Sequence, residues 1–459
     1  MSVRTKSIHL FELSDDYKIG LKDYSGLYKN GIPLKEFLAN KNYENDIKSG
    51  RTPSKFRVDY WEGDYDFITL SDVDTDLYSL NSETEEKITD IAIEECGNMV
   101  LVPKGSLLIS NAMTVGLAFI VDRDVYINQN VFWVKLDETK VNKKYLLWYF
   151  NCVIKNLFDN VFSSKYLSKR ELSRICIPNI CLEKQNDIVR RIEVLEKEIV
   201  KYKKKIKNET GVIDAVFGKK FAFDYDKFEQ LKQINSYSLK YSSFSNNVDM
   251  RFSVKYHRLA GKFVLQQLKE MSDLSIKHFL SEPIELGASI SAKDYDEHGE
   301  YVYISMATIK KWSFDKESAA MVNQKYSDKN KNKSIKKNDI IMARSGEGTI
   351  GKVALIEEDM NGIFADFTMR IRLDNYNPYF AYYYFRTSYF QYLIEVYKKG
   401  LGNNTNIFPI VVKELPIPNI SIKEQKMIVE KIKGDMDKQI EIKKQINNVR
   451  TKITRLIIE

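Results

Sequence analysis

The chain has 459 residues, which is too long for a single hydrophobic core and fits about two to four domains. Its hydrophobic content of 43%, with 28 Tyr and only 9 Pro, excludes a disordered or fibrous protein. The net charge of +8 allows a polyanionic partner without requiring one. No apolar run approaches the roughly 18 residues that span a bilayer, and no secretory signal is recognisable, so the sequence predicts a cytoplasmic protein without a membrane partner.

Short strands and polar turns are predicted along the first half of the chain. An apolar segment at 34–38 precedes a polar loop at 48–55 and a further segment at 68–72, and the run at 104–109 has the aliphatic character of a strand. Similar phrases recur in the second half, at 276–280, 304–308 and 337–342. The offsets drift by a few residues, as loop insertions would cause. The pattern therefore predicts one mixed α/β module present twice.

The clearest sign of duplication is the segment 177–192, which matches 417–432 at eight positions. The identical residues of the first copy are Ile177, Pro178, Asn179, Ile180, Gln185, Ile188, Val189 and Ile192. Agreement of this kind at one fixed offset indicates a tandem repeat. We therefore expect a function that uses two similar units.

After each Ile-Pro-Asn-Ile motif the apolar residues take the spacing of a helix, because the proline ends the preceding element. The apolar positions are spaced alternately four and three residues apart, which is typical of a coiled-coil seam. The two seams are Ile188, Ile192, Leu195, Ile199, Tyr202 and Ile206 in the first copy, and Ile442, Ile446, Val449, Ile453 and Leu456 in the second. Each helix could instead pack on its own domain, but their matching context favours pairing with each other. As a helix, residues 185–207 would span about 35 Å, close to one turn of duplex DNA.

The glycine-rich loop from Gly346 to Gly351 matches dinucleotide-binding and kinase patterns in isolation. A dinucleotide loop must open a helix, whereas the residues from Lys352 onwards read as a strand. A kinase also needs a His-Arg-Asp motif, and none of the four histidines is followed by Arg-Asp. The histidines are scattered, so neither a metal site nor a catalytic site is predicted in this chain.

Polar, glycine-containing loops remain as the candidate binding elements. They lie at 48–55, at 344–347, and from 398–400 to 403–406. Glycine lets a backbone approach a ligand closely, while Arg, Lys and Asn supply phosphate and base-edge contacts. Each loop taken alone is more often a plain solvated turn than a binding element.

Together these motifs resemble the specificity (S) subunits of type I restriction-modification enzymes. The resemblance is carried by the Ser-Gly-Arg-Thr-Pro-Ser run at 49–54 with Tyr60-Trp61-Glu62-Gly63, by 344–346 with 350–354, and by the two Ile-Pro phrases with their helices. It covers residues 31 to 459. The first copy departs from the pattern, because Ser110-Asn111-Ala112-Met113 stands where the second has Ala343-Arg344-Ser345-Gly346.

The resemblance implies an α+β fold with two mixed α/β target recognition domains in a pseudo-twofold arrangement, separated by two long helices that form an antiparallel coiled coil. The expected segments are a first recognition domain at 1–180, a first long helix at 181–215, a linker with the second recognition domain at 216–418, and a second long helix at 419–459. The implied partners are double-stranded DNA, two DNA-adenine methyltransferase subunits, and a motor-nuclease subunit as a further candidate. S-adenosylmethionine, ATP and magnesium would be bound by those partners and not by this chain.

The leading hypothesis is a non-enzymatic subunit that reads a bipartite DNA target and directs methylation and restriction by its partners. The candidate base contacts are Arg51, Arg57, Arg344, Asn403, Asn404 and Asn406, with Thr52 and Ser345 in the same loops. The candidate phosphate contacts are Lys48, Lys55, Lys352, Lys398 and Lys399. The alternatives are a coiled-coil scaffold without DNA affinity and an enzyme that binds nucleotide at the Gly346–Gly351 loop.

Overall fold

The computed structural model describes residues 31–160, 166–245, 251, 253–309, 311–346, 348–400 and 405–458. The chain divides into two units. Unit 1 comprises the residues up to 206 together with those from 441 onwards, and unit 2 comprises residues 207–440. The last helix of the chain therefore contributes to both units.

Unit 1 is built on short strands with mostly buried side chains. The strands are β1 (Ile32–Pro33), β2 (Ile47–Ser49), β3 (Trp61–Ile68), β4 (Val73–Asp74), β5 (Ser79–Leu80), β6 (Glu86–Ile88), β7 (Leu101–Val102), β8 (Leu107–Ser110), β9 (Ala118–Ile120), β10 (Val125–Ile127), β11 (Val131–Val134) and β12 (Cys176–Ile177). One sheet has the order β2-β11-β8-β9-β5-β4 and another the order β6-β3-β10-β7, while β1 pairs with β12.

The helices of unit 1 lie between its strands and after them in the chain. They are α1 (Tyr43–Asp46), α2 (Asp90–Glu95), α3 (Lys143–Tyr149), α4 (Lys155–Asn160), α5 (Lys169–Arg174) and α6 (Leu182–Lys203), with a π-helical turn at Phe150–Ile154 and 3-10 turns at Leu34–Phe37, Val58–Tyr60 and Leu70–Asp72. Asn142 caps α3, because its side chain accepts the N–H groups of Lys144 and Tyr145. The helix α3 is buried over most of its length, so it forms the centre of the unit 1 core.

Unit 2 repeats this plan with fewer strands among its described residues. They are β13 (Glu285–Leu286), β14 (Tyr301–Ile304), β15 (Met321–Val322), β16 (Ile340–Ala343), β17 (Val353–Leu355), β18 (Gly362–Phe364) and β19 (Thr368–Ile371). One sheet has the order β13-β19-β16-β17 and the other the order β15-β14-β18. β16 is buried along its whole length, as expected for a strand covered on both faces.

The helices of unit 2 surround these sheets. They are α7 (Glu209–Phe221), α8 (Tyr225–Lys232), α9 (Ser242–Ser245), α10 (Val254–His257), α11 (Leu259–Met271), α12 (Met306–Ile309), α13 (Gln324–Lys329), α14 (Pro378–Phe385), α15 (Ser388–Tyr397), α16 (Pro409–Val412) and α17 (Ile422–Ile458), with 3-10 turns at Ile276–Phe279, Ala292–Asp294 and Lys331–Lys333. Asn377 caps α14 as Asn142 caps α3.

The strand pairings show that the two units are copies of one module. The antiparallel ladder β2-β11-β8-β9 of unit 1 has the same connectivity as β13-β19-β16-β17 of unit 2. In each unit a parallel pair accompanies it, β3 with β10 and β14 with β18. The strands expected at 104–109 and 337–342 correspond to the equivalent β8 and β16. The α+β class and the duplication are confirmed.

The two helical seams lie in the core of unit 1. All the seam residues predicted from sequence are buried in that core or packed against it. They come from α6, from Ile206 just after it, and from the part of α17 after residue 440. Lys144 of α3 pairs with Glu196 of α6 at 3.0 Å, and Arg450 of α17 bonds to Tyr78. The seams therefore share one core with each other and with the first domain, and the supercoiled pairing itself stays a prediction.

The helix expected at 181–215 is interrupted in the structure. α6 ends at Lys203 and α7 begins at Glu209. Asn208 explains why a new helix begins there. Its side chain accepts the backbone N–H of Gly211 at 2.7 Å and so caps the start of α7. The second long helix, expected at 419–459, is observed as Ile422–Ile458.

Within the described part of the chain, no helix combines the length and apolar character that a bilayer crossing needs.

Candidate nucleic-acid interface

The loop after β2 is held against β10, a strand of the other sheet of unit 1, by a close backbone contact. A Cβ atom at Gly50 would lie only 1.7 Å from the carbonyl oxygen of Ile127, so glycine is required. Unit 2 repeats the contact, where a Cβ atom at Gly287 would lie 2.1 Å from the carbonyl oxygen of Phe364. This loop therefore leaves the sheet at the same place in both units.

The side chains predicted in the first of these loops are anchored on unit 1 itself. Arg51 is exposed and donates to the carbonyl oxygen of Cys96 at 3.0 Å. Thr52 donates its hydroxyl hydrogen to Gln129 at 2.6 Å. Lys48 lies half-buried within β2, opposite Trp133 of β11. The backbone that carries Lys48 and Arg51 is thus fixed by the contact at Gly50 and the hydrogen bond of Thr52.

Lys55 and Arg57 follow in the same loop, and both are paired with carboxylates. Lys55 forms an ion pair with Glu86 and lies 3.6 Å from the centre of the Trp61 ring. Arg57 pairs with Asp59 at 2.7 Å and with Glu95 at 3.1 Å.

The hydrogen bond to Asp59 raises the pKa of the Arg57 guanidinium above its ordinary value. The same bond lowers the pKa of the Asp59 carboxyl. A phosphate that bound Arg57 would have to replace these carboxylates.

Two apolar side chains beside these cations were missed by the sequence reasoning. Phe56 is 98% exposed and Val58 is also exposed. Their apolar character alone predicts burial, and only the structure shows that the turn at 54–60 directs them outwards. The cationic loop of unit 1 therefore has an apolar tip.

In unit 2, Arg344 follows β16 and is fixed by two hydrogen bonds. Its Nε donates to the carbonyl oxygen of Asp366 at 2.7 Å, and its Nη1 donates to the side-chain oxygen of Asn406 at 3.1 Å. The guanidinium carbon lies 5.8 Å from the centre of the Phe367 ring. Arg344 and Asn406, which are distant in sequence, are thus brought together as a half-buried pair.

The other residues of these loops that were predicted to contact DNA are hydrogen-bonded or buried within unit 2. Ser345 is buried and donates to the carbonyl oxygen of Thr405 at 3.2 Å. Lys399 pairs through its backbone with Asn406. Lys398 is only 6% exposed and pairs with Glu395 at 2.8 Å, so its ammonium group does not lie at the surface as a phosphate contact would require. Asn403 and Asn404 lie outside the described residues.

The glycine-rich loop at 346–351 joins β16 to β17, which are antiparallel neighbours. Gly346 and Gly351 have φ of +88° and +83°, a region that favours glycine. A dinucleotide loop opens a helix, whereas this one leads into a strand. Lys352, directly after it, is half-buried with its ammonium 5.9 Å from the centre of the Trp312 ring.

The loops that carry Asn111 and Arg344 share one hydrogen-bond pattern. The backbone N–H of Asn111 donates to Asn130 O at 2.9 Å, and that of Arg344 donates to Phe367 O at 2.9 Å. The Asn111 side chain donates to the carbonyl oxygen of Gln129 at 3.0 Å, where Arg344 Nε donates to that of Asp366. The two loops are therefore equivalent in space as well as in sequence.

The contacts around these two loops are also repeated between unit 1 and unit 2. Ala112 pairs with Tyr166 in unit 1, as Ser345 pairs with Asn406 in unit 2. Ser289 donates to Asp366 at 2.8 Å, as Thr52 does to Gln129. We call each meeting point a three-loop junction, formed by residues 50–52, 111–113 and 129–130 in unit 1 and by 287–289, 344–346 and 366–367 in unit 2. Within the described ranges, no group of three or more His, Cys, Asp or Glu is arranged to hold a metal ion.

The family model for the type I restriction modification DNA specificity domain matches residues 45–210 and 277–450. The type I restriction enzyme MjaIX specificity subunit of Methanocaldococcus jannaschii is 32% identical over 84 residues, which are 18% of this chain. That alignment spans 19% of the relative, about a fifth of its length.

Solved structures of low sequence identity also match. One comes from work on complex assembly and conformational transition of the type I R-M system, with 11% identity, a TM-score of 0.47, and coverage of 93% of this chain and 94% of the other. The S subunit from M. genitalium has 12% identity, a TM-score of 0.38, and coverage of 93% and 95%. The HsdS subunit from Thermoanaerobacter tengcongensis has 11% identity, a TM-score of 0.34, and coverage of 94% and 96%.

Proposed function

The chain belongs to the type I restriction modification DNA specificity family, and from this premise we propose that it reads a bipartite DNA target and directs partner subunits to that target. The observation that carries the proposal is the pair of topologically matched units, each with a three-loop junction at the end of its buried sheet. One unit would read one half of the target and the other unit the other half.

The polar side chains at the junctions have the chemistry that such reading needs. Arg, Gln and Asn make bidentate contacts to base edges in the major groove, and Lys neutralises phosphates. Arg51, Arg57, Arg344 and Asn406 are the proposed base contacts among the described residues, with Asn403 and Asn404 proposed from sequence. Lys48, Lys55, Lys352 and Lys399 are the proposed phosphate contacts. Lys398 is the weakest candidate, since it is buried and paired.

The helices α6 and α17 would set the separation of the half-sites and offer surfaces to partner subunits. The proposed partners are two DNA-adenine methyltransferase subunits and, in a restricting complex, a motor-nuclease subunit. The chain itself would be non-catalytic. S-adenosylmethionine, ATP and magnesium would belong to the partners, and the cytoplasm is the proposed location.

The decisive experiment is a map of methylated adenines in the host genome, with and without the gene for this chain. We expect one bipartite sequence motif to lose methylation when the gene is deleted. A parallel titration of the chain, assembled with its methyltransferase partners, should show tighter binding to that motif than to random duplexes. Equal affinity for every sequence, or an unchanged methylation map, would refute the proposal.

The same preparation separates the two alternative functions. A scaffold without DNA affinity would show no salt-dependent binding to any duplex. An enzyme using the Gly346–Gly351 loop would bind a fluorescent nucleotide, and the proposed reader would not.

A further inference from the structure

The two three-loop junctions place different side chains on the same backbone frame. Position 111 is Asn and the equivalent position 344 is Arg, while Gln129 corresponds to Asp366. The frame is the same because the anchoring hydrogen bonds are the same in both units. Differences in what the two junctions can bind therefore come from the exchanged side chains, which also include Arg51 at the position equivalent to Ala288.

Asn111 is an anchor that cannot reach a ligand. It is 0% exposed, and its amide nitrogen is used in the bond to the carbonyl oxygen of Gln129. Its side-chain oxygen is enclosed without a hydrogen-bond donor in the described structure. The polar side chains that unit 1 exposes at its junction are instead Arg51 and Gln129, and Gln129 accepts a hydrogen bond from Thr52.

Arg344 donates to the carbonyl oxygen of Asp366 as Asn111 donates to that of Gln129, but its guanidinium group has further N–H donors. The bonds from its Nε to Asp366 and from its Nη1 to Asn406 fix the plane of the guanidinium. The remaining guanidinium N–H groups include donors on both terminal nitrogens, enough for a bidentate contact. A guanidinium that is already fixed loses little side-chain entropy on binding.

The chemistry of these donors selects among the bases. Guanine presents two acceptors, N7 and O6, in the major groove, whereas adenine presents one acceptor beside an amino donor. Arg carries donors and no acceptor, so its bidentate complement is guanine. Gln carries both a donor and an acceptor, so its complement is adenine.

We propose that the three-loop junctions are the base-reading points of the two units, with Arg344 contacting a guanine in one half-site and Gln129 contacting an adenine in the other. This inference rests on the proposed function and adds the residues that distinguish the half-sites. Asn111 and the backbone of Asp366 hold the loops in place without contacting bases. The junctions thus differ in the bases they read because the Asn111 anchor is enclosed, while the half-buried Arg344 anchor keeps guanidinium N–H groups beyond its two bonds.

The test replaces Arg344 by the residue that stands at the equivalent position in unit 1. Arg344→Asn should keep the anchoring bond, as Asn111 does, and remove the base contact. In the complex with methyltransferase partners, duplexes selected from a randomised pool should then lose preference at one guanine of one half-site by roughly ten- to a hundredfold. Gln129→Ala, at an exposed position in the other unit, should relax one adenine of the other half-site only.

Lys352→Ala is the matched control, since a phosphate contact weakens binding to all sequences alike. Arg344→Gln serves as a second variant, and thermal unfolding shows that each protein is folded. The inference is overturned if folded Arg344 and Gln129 variants retain the wild-type preference at every position, or if either relaxes both half-sites equally. A wild-type complex that selects no sequence at all would instead refute the proposed function, so the two failures are distinguishable.

Discussion

Gln185 accepts the backbone N–H of Asn142 at 2.9 Å, and its own amide group donates to the carbonyl oxygen of Ile180 at 3.0 Å. In unit 2, Gln425 bonds in the same way to Asn377 at 2.7 Å and to Ile420 at 2.9 Å. Both glutamines are buried, and both asparagines cap the central helix of their unit. The glutamine that follows each Ile-Pro-Asn-Ile motif thus joins a long helix to the core of its unit.

Replacing Gln425 by leucine should destabilise unit 2. The change keeps the volume but leaves the N–H of Asn377 and the carbonyl oxygen of Ile420 without this partner, at a cost of about 1–3 kcal/mol. Hydrogen exchange within α14, combined with urea unfolding, measures the loss. Gln230→Leu, on the exposed face of α8, is the control and should change the free energy of unfolding by less than about 0.5 kcal/mol. Equal stability of the two variants would contradict the structural role of Gln425.

The seam of α17 should be sensitive to truncation where it is buried and tolerant where it is exposed. Ile453 is fully buried in the core of unit 1, so Ile453→Ala should cost about 2–5 kcal/mol. Ile440 lies on the same helix but is 65% exposed, so Ile440→Ala should have little effect. Urea unfolding of the full chain compares the two. A similar loss for both substitutions would mean that the seam does not depend on the burial observed.

Stability should depend on pH through Asp214 of α7. Burial raises the pKa of this carboxyl and Glu229 adds to the effect, which outweighs the hydrogen bond from the backbone N–H of Ser388. Because the folded pKa lies above the unfolded one, the folded state favours the protonated acid. Its contribution to stability is therefore present at low pH and is lost as pH rises from about 4 through the folded pKa.

Asp214→Asn removes this titration and can still accept the N–H of Ser388, to which Asp214 bonds at 2.9 Å. The free energy of unfolding of the wild-type protein should fall relative to that of the variant as pH rises from about 4 to 7. Urea unfolding at several pH values measures this difference. A difference that stays constant, or that changes with the opposite sign, would show that the buried acid is not penalised.

The salt dependence of DNA binding should distinguish two lysines that look alike in the sequence. Lys352→Ala should reduce the slope of log affinity against log salt concentration by about 1, because one phosphate contact is lost. Lys398→Ala should leave the slope unchanged, since its ammonium group is buried beside Glu395, and should lower stability instead. Titrations of the complex at several salt concentrations decide between these outcomes. A lower slope for Lys398→Ala would place that lysine on the DNA.

Elements that depend on local pattern were predicted well. The strands β8 and β16 and the helix after each Ile-Pro phrase all follow from periodicity and repetition. The break between α6 and α7 was missed, because a continuous apolar spacing outweighed the capping signal of Asn208. Boundaries set by one side chain are poorly predicted from periodicity.

The candidate site was predicted in part. Arg344 and Asn406 were both predicted from sequence as base contacts in separate loops, and the structure joins them by a hydrogen bond. Lys398 was expected to be exposed and is buried, because α15 directs its side chain towards Glu395. Gln129 and Asp366 were missed, since a single polar residue between two strands carries no distinctive signal.

The sequence by itself determined that this protein has two copies of one module, because identical residues at a constant offset require equivalent folds. It also determined the apolar faces of both long helices, since those depend only on spacing along the chain. Only the tertiary structure decided which loops meet at each junction and which cations remain accessible. These outcomes depend on contacts between residues far apart in sequence, where one hydrogen bond such as that from Arg344 to Asp366 fixes the direction of a side chain.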